Sequence, residues 1–294
     1  MISPKRIAAA GILVFSLAAA PVRAELNACD VHPCLCHMWH KGDTPDPFPW
    51  GATLGNGRGA PLNLDGDQRG DMWPDFGINP VTHQAEVVWA FNDGSDYEIA
   101  FARTEDGHWG PITLLTANAQ RDVDARLAFD ASTGGSFVTF WTTDGTAVVK
   151  LIVRPSPTSA WTQPEPVSAG VPPARLPAVL VAGAELLVGY EEDAAAGGRD
   201  LVLASRSASA VPGTVFYRQT IGHTDGSRSA HLILDVVGAN QTVFAAWIQS
   251  ETEIGYSIFN GVTWEPPRYV PYADGLDIEM VRMAVRRIMV SPRQ

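Results

Sequence analysis

Between Cys29 and His40 the chain reads Cys29-Asp-Val-His32-Pro-Cys34-Leu-Cys36-His37-Met38-Trp-His40, with three cysteines, three histidines and one methionine in twelve residues. Thiolate, imidazole and thioether are the donors that zinc and Cu(I) select. Cys29, His32, Cys34, Cys36, His37 and His40 are therefore a candidate metal set. The competing chemistry is a disulfide from Cys29 to Cys34 or Cys36, favoured in an oxidising compartment, which leaves one thiol over. No Cys-x-x-Cys-His occurs, so the segment is not a c-type haem attachment site.

A second set of residues could bind a carboxylate. Arg126 lies 15 residues before Trp141, Arg175 lies 15 before Tyr190, and Arg282-Met-Ala-Val is patterned like Arg126-Leu-Ala-Phe. Converging guanidinium groups hold a carboxylate through paired charge-assisted bonds. Asp124, two residues before Arg126, and Tyr190, 15 residues after Arg175, complete a candidate ligand-binding set. The alternative is that these arginines line a wet channel and pair with Asp122, Asp124, Asp277 or Glu279. Glycoside hydrolysis would need two carboxylates facing each other across about 5–10 Å. Asp71, Asp75, Asp122, Asp124, Asp277 and Glu279 are near the right places, but acids recurring from unit to unit suit turn capping better than a unique catalytic pair.

These residues are positioned by a repeat. Glu86-Val-Val-Trp89-Ala-Phe, Phe137-Val-Thr-Phe-Trp141-Thr, Leu186-Leu-Val-Gly-Tyr190-Glu and Val243-Phe-Ala-Ala-Trp247-Ile are versions of one β-rich run, with anchors 52, 49 and 57 residues apart. A second aromatic follows each anchor, at Trp109, Trp161, Phe216 and Trp264. One strand pattern lies between the two aromatics and another precedes the first. Four short strands in about 50 residues make one blade of a β-propeller, and radial packing hides both faces of each blade. The first aromatics are read as core between blades in preference to sugar-stacking platforms, because each can bury a large apolar area.

The ends of the chain suggest ring closure. Trp50-Gly-Ala-Thr is patterned like the outermost strand at Trp109-Gly-Pro-Ile-Thr, and Arg282-Met-Ala-Val like an innermost strand. N- and C-terminal strands sharing one blade would remove free sheet edges. The expected fold is an all-β propeller of four-stranded blades, five in number, with six as the alternative count.

Lys5 and Arg6, the apolar run Ile7–Ala20 and the small-residue pattern Val22-x-Ala24 read as a secretory signal peptide over residues 1–24. About 14 apolar residues are too few to cross a bilayer, which needs roughly 20. Residues 25–294 are then a single propeller domain whose first part, 25–60, holds the Cys/His-rich segment. The whole chain carries a net charge of −11, and removing Lys5, Arg6 and Arg23 leaves 18 basic and 32 acidic residues, a net −14. Such an acidic surface excludes nucleic acid as a partner. Secretion or periplasmic residence without membrane insertion is expected.

The hairpins resemble the Asp-box of sialidase-type (BNR) repeats, Ser-x-Asp-x-Gly-x-Thr-Trp. Ser257-Ile-Phe259-Asn-Gly261-Val-Thr263-Trp264 departs from it only at Phe259; Ser209-Ala-Val211-Pro-Gly213-Thr-Val-Phe216 keeps the spacing, Ser and Gly; Thr104-Glu-Asp106-Gly107-His-Trp109 is a shorter relative. The resemblance spans roughly residues 50–290 and implies a sialidase-like propeller. That family carries an arginine cluster, to which Arg126, Arg175 and Arg282 would correspond. The Arg-Ile-Pro motif of the family is missing, and only Tyr190 beside Glu191 or Glu192 suggests a nucleophile pair. The resulting expectation is an exported module that binds carbohydrate or an extracellular protein through its central channel face. The alternatives are a sialidase-like glycoside hydrolase and an interaction scaffold with no small ligand. No cofactor is expected apart from zinc or copper at the Cys/His segment.

Overall fold

The computed structural model describes residues 72–271, apart from 107, 144, 227–228, 238–241, 251 and 261–262, together with the backbone of three short strands before them. Those three strands, β1 (His37–Trp39), β2 (Gly51–Thr53) and β3 (Leu62–Asn63), form one antiparallel sheet in the order β1-β2-β3. The stretch after Trp50, expected as an outermost strand, is therefore the middle strand of its sheet. Its amides and carbonyls find partners on both sides.

The remaining strands form four antiparallel sheets. The first blade comprises β4 (Met72–Ile78), β5 (Ala85–Asn92) and β6 (Tyr97–Glu105), with an outer edge divided between β7 (His108–Trp109) and β8 (Thr113–Leu114). The second comprises β9 (Asp122–Phe129), β10 (Ser136–Thr142), β11 (Val148–Arg154) and β12 (Glu165–Pro166). The third comprises β13 (Ala174–Ala182), β14 (Glu185–Asp193), β15 (Arg199–Ser207) and β16 (Tyr217–Thr224). The fourth comprises β17 (Ile233–Val237), β18 (Thr242–Ser250), β19 (Glu253–Ile258) and β20 (Arg268–Pro271). First strands of successive blades touch, β4 with β9, β9 with β13 and β13 with β17, as radial packing requires. The chain is an all-β propeller. The closing blade expected from residues beyond 271, including Asp277, Glu279 and Arg282, lies outside the described residues.

Local sequence explains the hairpins. In Asn92-Asp93-Gly94 the Asp93 carboxylate accepts the amides of Ser95 and Asp96, and Gly94 takes φ 99°. A side-chain acceptor with glycine at positive φ is the usual chemistry of a tight turn.

The apolar core is divided among the seams between blades. Val88, Ile99 and Phe101 of the first blade pack with Ala125, Val138, Phe140 and Ile152 of the second. Tyr190 lies in the seam between the second and third blades, and Trp247 in that between the third and fourth. Tyr190 and Trp247 thus each face the blade before their own. In the second blade this place belongs to Phe140, which is fully buried, and not to Trp141, which is partly exposed and packs toward the third blade. The expected anchor was set one residue late because the larger aromatic drew the alignment. Trp89, Tyr190 and Trp247 are buried as expected.

Candidate functional site

Every first strand carries a two-residue bulge opposite its neighbour's anchor. Trp73 and Pro74 lie opposite Trp89, Asp124 and Ala125 opposite Phe140, and Leu176 and Pro177 opposite Tyr190. In the fourth blade the Ile248 amide donates to the Ala230 carbonyl and Ile233 faces Ala246, so His231 and Leu232 oppose Trp247. The leading residue of each bulge takes positive φ: Trp73 50°, Asp124 55°, Leu176 51° and His231 48°. Left-handed backbone is costly for tryptophan and leucine. Its recurrence in four blades makes it a device of the fold that bends each inner strand and re-aims the residues beside it. Proline is tolerated in the bulge because a bulged residue drops out of the ladder.

This register separates two of the expected site residues. Arg126 follows its bulge and pairs with Thr139, whereas Arg175 precedes its bulge and pairs with Glu191. Their equal spacing from Trp141 and Tyr190 was produced by the misplaced anchor, so they do not occupy equivalent positions. They do sit on adjacent first strands, and both side chains remain partly exposed, 29% for Arg126 and 25% for Arg175. Arg126 lies 2.6 Å from Asp124, and Arg175 2.5 Å from Asp193. Arg282 and the Cys29, His32, Cys34, Cys36 and His40 candidates lie outside the described residues. His37 falls in β1, where only the backbone is described.

Tyr190 is fully buried among Leu186, Val188 and Val202, and burial raises its phenol to about 12. A ring so enclosed offers no stacking face to a ligand, and a neutral phenol is a poor nucleophile. Tyr190 thus leaves the candidate ligand set by burial, as aromatic core between blades.

The carboxylates at this end of the inner strands are engaged. Asp75 accepts the Leu127 amide of the next blade at 2.9 Å and its neighbour Phe76's amide at 3.0 Å. Glu191 accepts the Ala230 and His231 amides across the following seam at 2.6 and 3.1 Å. Burial raises the Asp124 carboxyl, with Arg126 opposing and Asp75 adding to the rise. Burial likewise raises Glu98, Asp122, Glu191 and Glu192 against the bonds each receives.

A pH dependence of stability follows. Each of these carboxyls holds its proton more tightly in the folded chain, so the folded state binds more protons than the unfolded one between the two pKa values. Their ionisation costs stability, which falls as pH rises from the ordinary carboxylate range through the raised values. The melting temperature should therefore be higher near about pH 5 than near about pH 8. Glu191→Gln, which keeps an acceptor oxygen, should flatten part of that slope in thermal unfolding followed by circular dichroism. An unchanged slope in the variant would remove Glu191 as a contributor.

Among the described residues, one group has the geometry to hold a cation: Asp93, Asp96 and Glu98, whose carboxylate oxygens lie within 4.8 Å of one another. Three oxygen donors suit a hard cation, unlike the sulfur and nitrogen set near the N-terminus. Asp93 already caps its hairpin.

Three features escaped the sequence reading: Trp73 at the first bulge, 38% exposed; the buried Glu86–Arg154 pair; and Phe259 with Gln219 in the seam between the third and fourth blades. Proline in the middle of a strand pattern, as in Trp73-Pro74-Asp75, is the signal that could have revealed the bulge.

No family model matches the chain, and no curated protein matches its sequence. Solved structures do share the fold. A Hadza microbial sialidase superposes with a TM-score of 0.50 at 12% identity, over 67% of this chain and 46% of its own. A thermostable family-43 glycoside hydrolase superposes with 0.50 at 11% identity, over 79% and 86%. A protein of unknown function from Dyadobacter fermentans gives 0.50 at 10%, over 79% and 65%. This chain thus spans under half the length of the sialidase, and what it shares with all three is the β-propeller fold.

Proposed function

We propose that this chain is an exported, carbohydrate-binding propeller that uses the channel face of its inner strands. The observation that carries this reading is the pairing of an exposed aromatic and partly exposed guanidinium groups with carboxylates that are already committed. Trp73 stands at the start of β4, and Arg126 and Arg175 stand on the two inner strands that follow. A sugar ring presents an apolar face that an aromatic side chain can cover, and hydroxyls or a carboxylate that arginine can bond. Among the described residues Asp75, Asp124, Glu191 and Asp193 are each bonded to backbone amides or to arginine, which favours binding over acid–base hydrolysis at these four carboxylates. The glycan would belong to a cell surface or the periplasmic space, reached after loss of residues 1–24.

The test is glycan-array binding alongside fluorogenic sialosides and neutral glycosides, on the mature full chain. Binding without turnover is expected, with a loss of at least about tenfold in Trp73→Ala and in Arg126→Ala, corresponding to about 1.4 kcal/mol or more. Turnover abolished by Asp124→Asn would instead favour the hydrolase, and binding indifferent to both variants would remove the channel face as the site.

A further inference from the structure

The seam between the third and fourth blades holds a cavity of about 710 Å³. Its walls are Leu187 and Leu203 of the third blade and Val243, Phe259 and Trp264 of the fourth. Ser205, Gln219 and Thr242 supply polar atoms along it, and the exposed Glu185 is the one charged side chain in its lining, an anion that disfavours a carboxylate ligand. A volume of several hundred Å³, mostly apolar with a few polar groups, is typical of small-molecule sites.

Comparing the seams explains this chemistry. Two positions face each other across each seam. One is on the outer strand of the earlier blade, opposite the third-strand residue that pairs with the position before the anchor: Glu165 faces Leu151 in the second blade, and Gln219 faces Leu203 in the third. The other is at the end of the third strand of the later blade, opposite the residue four before the anchor. It is Arg154 facing Ser136, Arg206 facing Leu186, and Phe259, whose amide donates to Val243.

Between the second and third blades these positions hold Glu165 and Arg206, joined by two hydrogen bonds and both largely buried, with Arg206 4.4 Å above the Phe216 ring. There the cavity is about 280 Å³. Between the first and second blades the first position is Thr113, and Arg154 is turned to Glu86. That cavity is about 680 Å³ and is walled by Arg103, Glu105 and Arg154. Between the third and fourth blades both charges are gone together, as Gln219 and Phe259. Phe259 lies 5.6 Å from Trp264, where an arginine stacks on the corresponding ring in each of the two preceding blades.

We infer that the seam between the third and fourth blades is a second ligand site, separate from the channel face, for an uncharged cyclic ligand with one apolar face and hydroxyls at its edge, the chemistry of a neutral pyranose. A guanidinium wall would demand an anion or its own counter-ion. The Gln219 amide donates and accepts without charge, and the Phe259 and Trp264 rings with Leu187 and Leu203 cover an apolar face. A carboxylate-bearing sugar would lose its hydration here and find no cation among the lining residues.

The experiment is saturation-transfer NMR with a panel of neutral methyl pyranosides on the mature chain. At least one should bind. The double variant Phe259→Arg, Gln219→Glu installs the pair found in the preceding seam and should abolish that binding, while an array glycan bound at the channel face is retained. Gln219→Ala, a gentler change, should weaken the pyranoside about tenfold. Binding that persists in the double variant, or falls only together with channel binding in Trp73→Ala, overturns the assignment. So does a site that takes the apolar dye anilinonaphthalene sulfonate and no pyranoside. If the double variant fails to fold, Gln219→Ala decides alone.

Discussion

Arg154→Ala is expected to destabilise the propeller by about 3–5 kcal/mol, the usual consequence of stranding a buried charge. The charge left behind is Glu86, which is fully buried in the first blade and lies 2.6 Å from the Arg154 guanidinium of the second. Asn79 and Ser136 donate to the same carboxylate at 3.0 and 2.8 Å, but neither carries a positive charge. The loss also removes the guanidinium from beside the rings of Phe101 and Trp161, each 4.9 Å away. In a domain of this size each kcal/mol moves the melting temperature by about 2–4 °C, so a drop of roughly 10 °C should appear in thermal unfolding. Replacing both partners, Arg154→Met with Glu86→Leu, should recover part of the loss, because no buried charge is then left unpaired, although Asn79 and Ser136 each lose an acceptor. A double variant as unstable as Arg154→Ala would show that the damage is steric and not electrostatic.

Gly255→Ala should be nearly as damaging, although it adds a single methyl group. Gly255 lies directly across the ladder from Trp247, and a Cβ there would stand 2.3 Å from both Cε2 and Nε1 of the indole. The ring has little room to retreat, because Gly222 also packs against it, so closely that an added Cβ there would stand 2.7 Å from Cζ2, and the indole donates to Gln249 at 2.7 Å. Overpacking of this kind costs about 1–3 kcal/mol or more, and Trp247→Ala by itself about 3–5 kcal/mol. The two changes share one volume, so they should not add. In urea unfolding, Gly255→Ala combined with Trp247→Ala should be no less stable than Trp247→Ala alone. Additive losses would mean that Gly255 is required for its backbone and not for the space it leaves.

Much of this architecture was legible because turn residues and aromatics recur at blade intervals. Each of the four described blades contains the four strands that the repeat announced. What the pattern concealed lay at single-residue scale. Trp141 stood out over Phe140 by size, yet alternation along a strand sends adjacent side chains to opposite faces, so the larger residue belongs to the other seam. The apparent equivalence of Arg126 and Arg175 rested on that offset and on counting through a bulge, which inserts a residue without any change of composition. Buried partners such as Glu86 with Arg154 are 68 residues apart, and no local window joins them. Tyr190 entered the ligand set as the anchor counted from Arg175 and through its adjacency to Glu191 and Glu192. Its burial follows from the anchor role that the same alignment had already assigned to its equivalents.

The way Glu165 meets Arg206, and Gln219 meets Phe259, has a consequence for how such a ring can change. Each pair is contributed half by one blade and half by the next, so a blade copied or exchanged alone would bring an acid to a phenylalanine or an arginine to an amide. The heritable module is the boundary, running from the outer edge of one blade to the third strand of its neighbour. Recombination that cuts through the middle of sheets would preserve it, and recombination that cuts between sheets would break it.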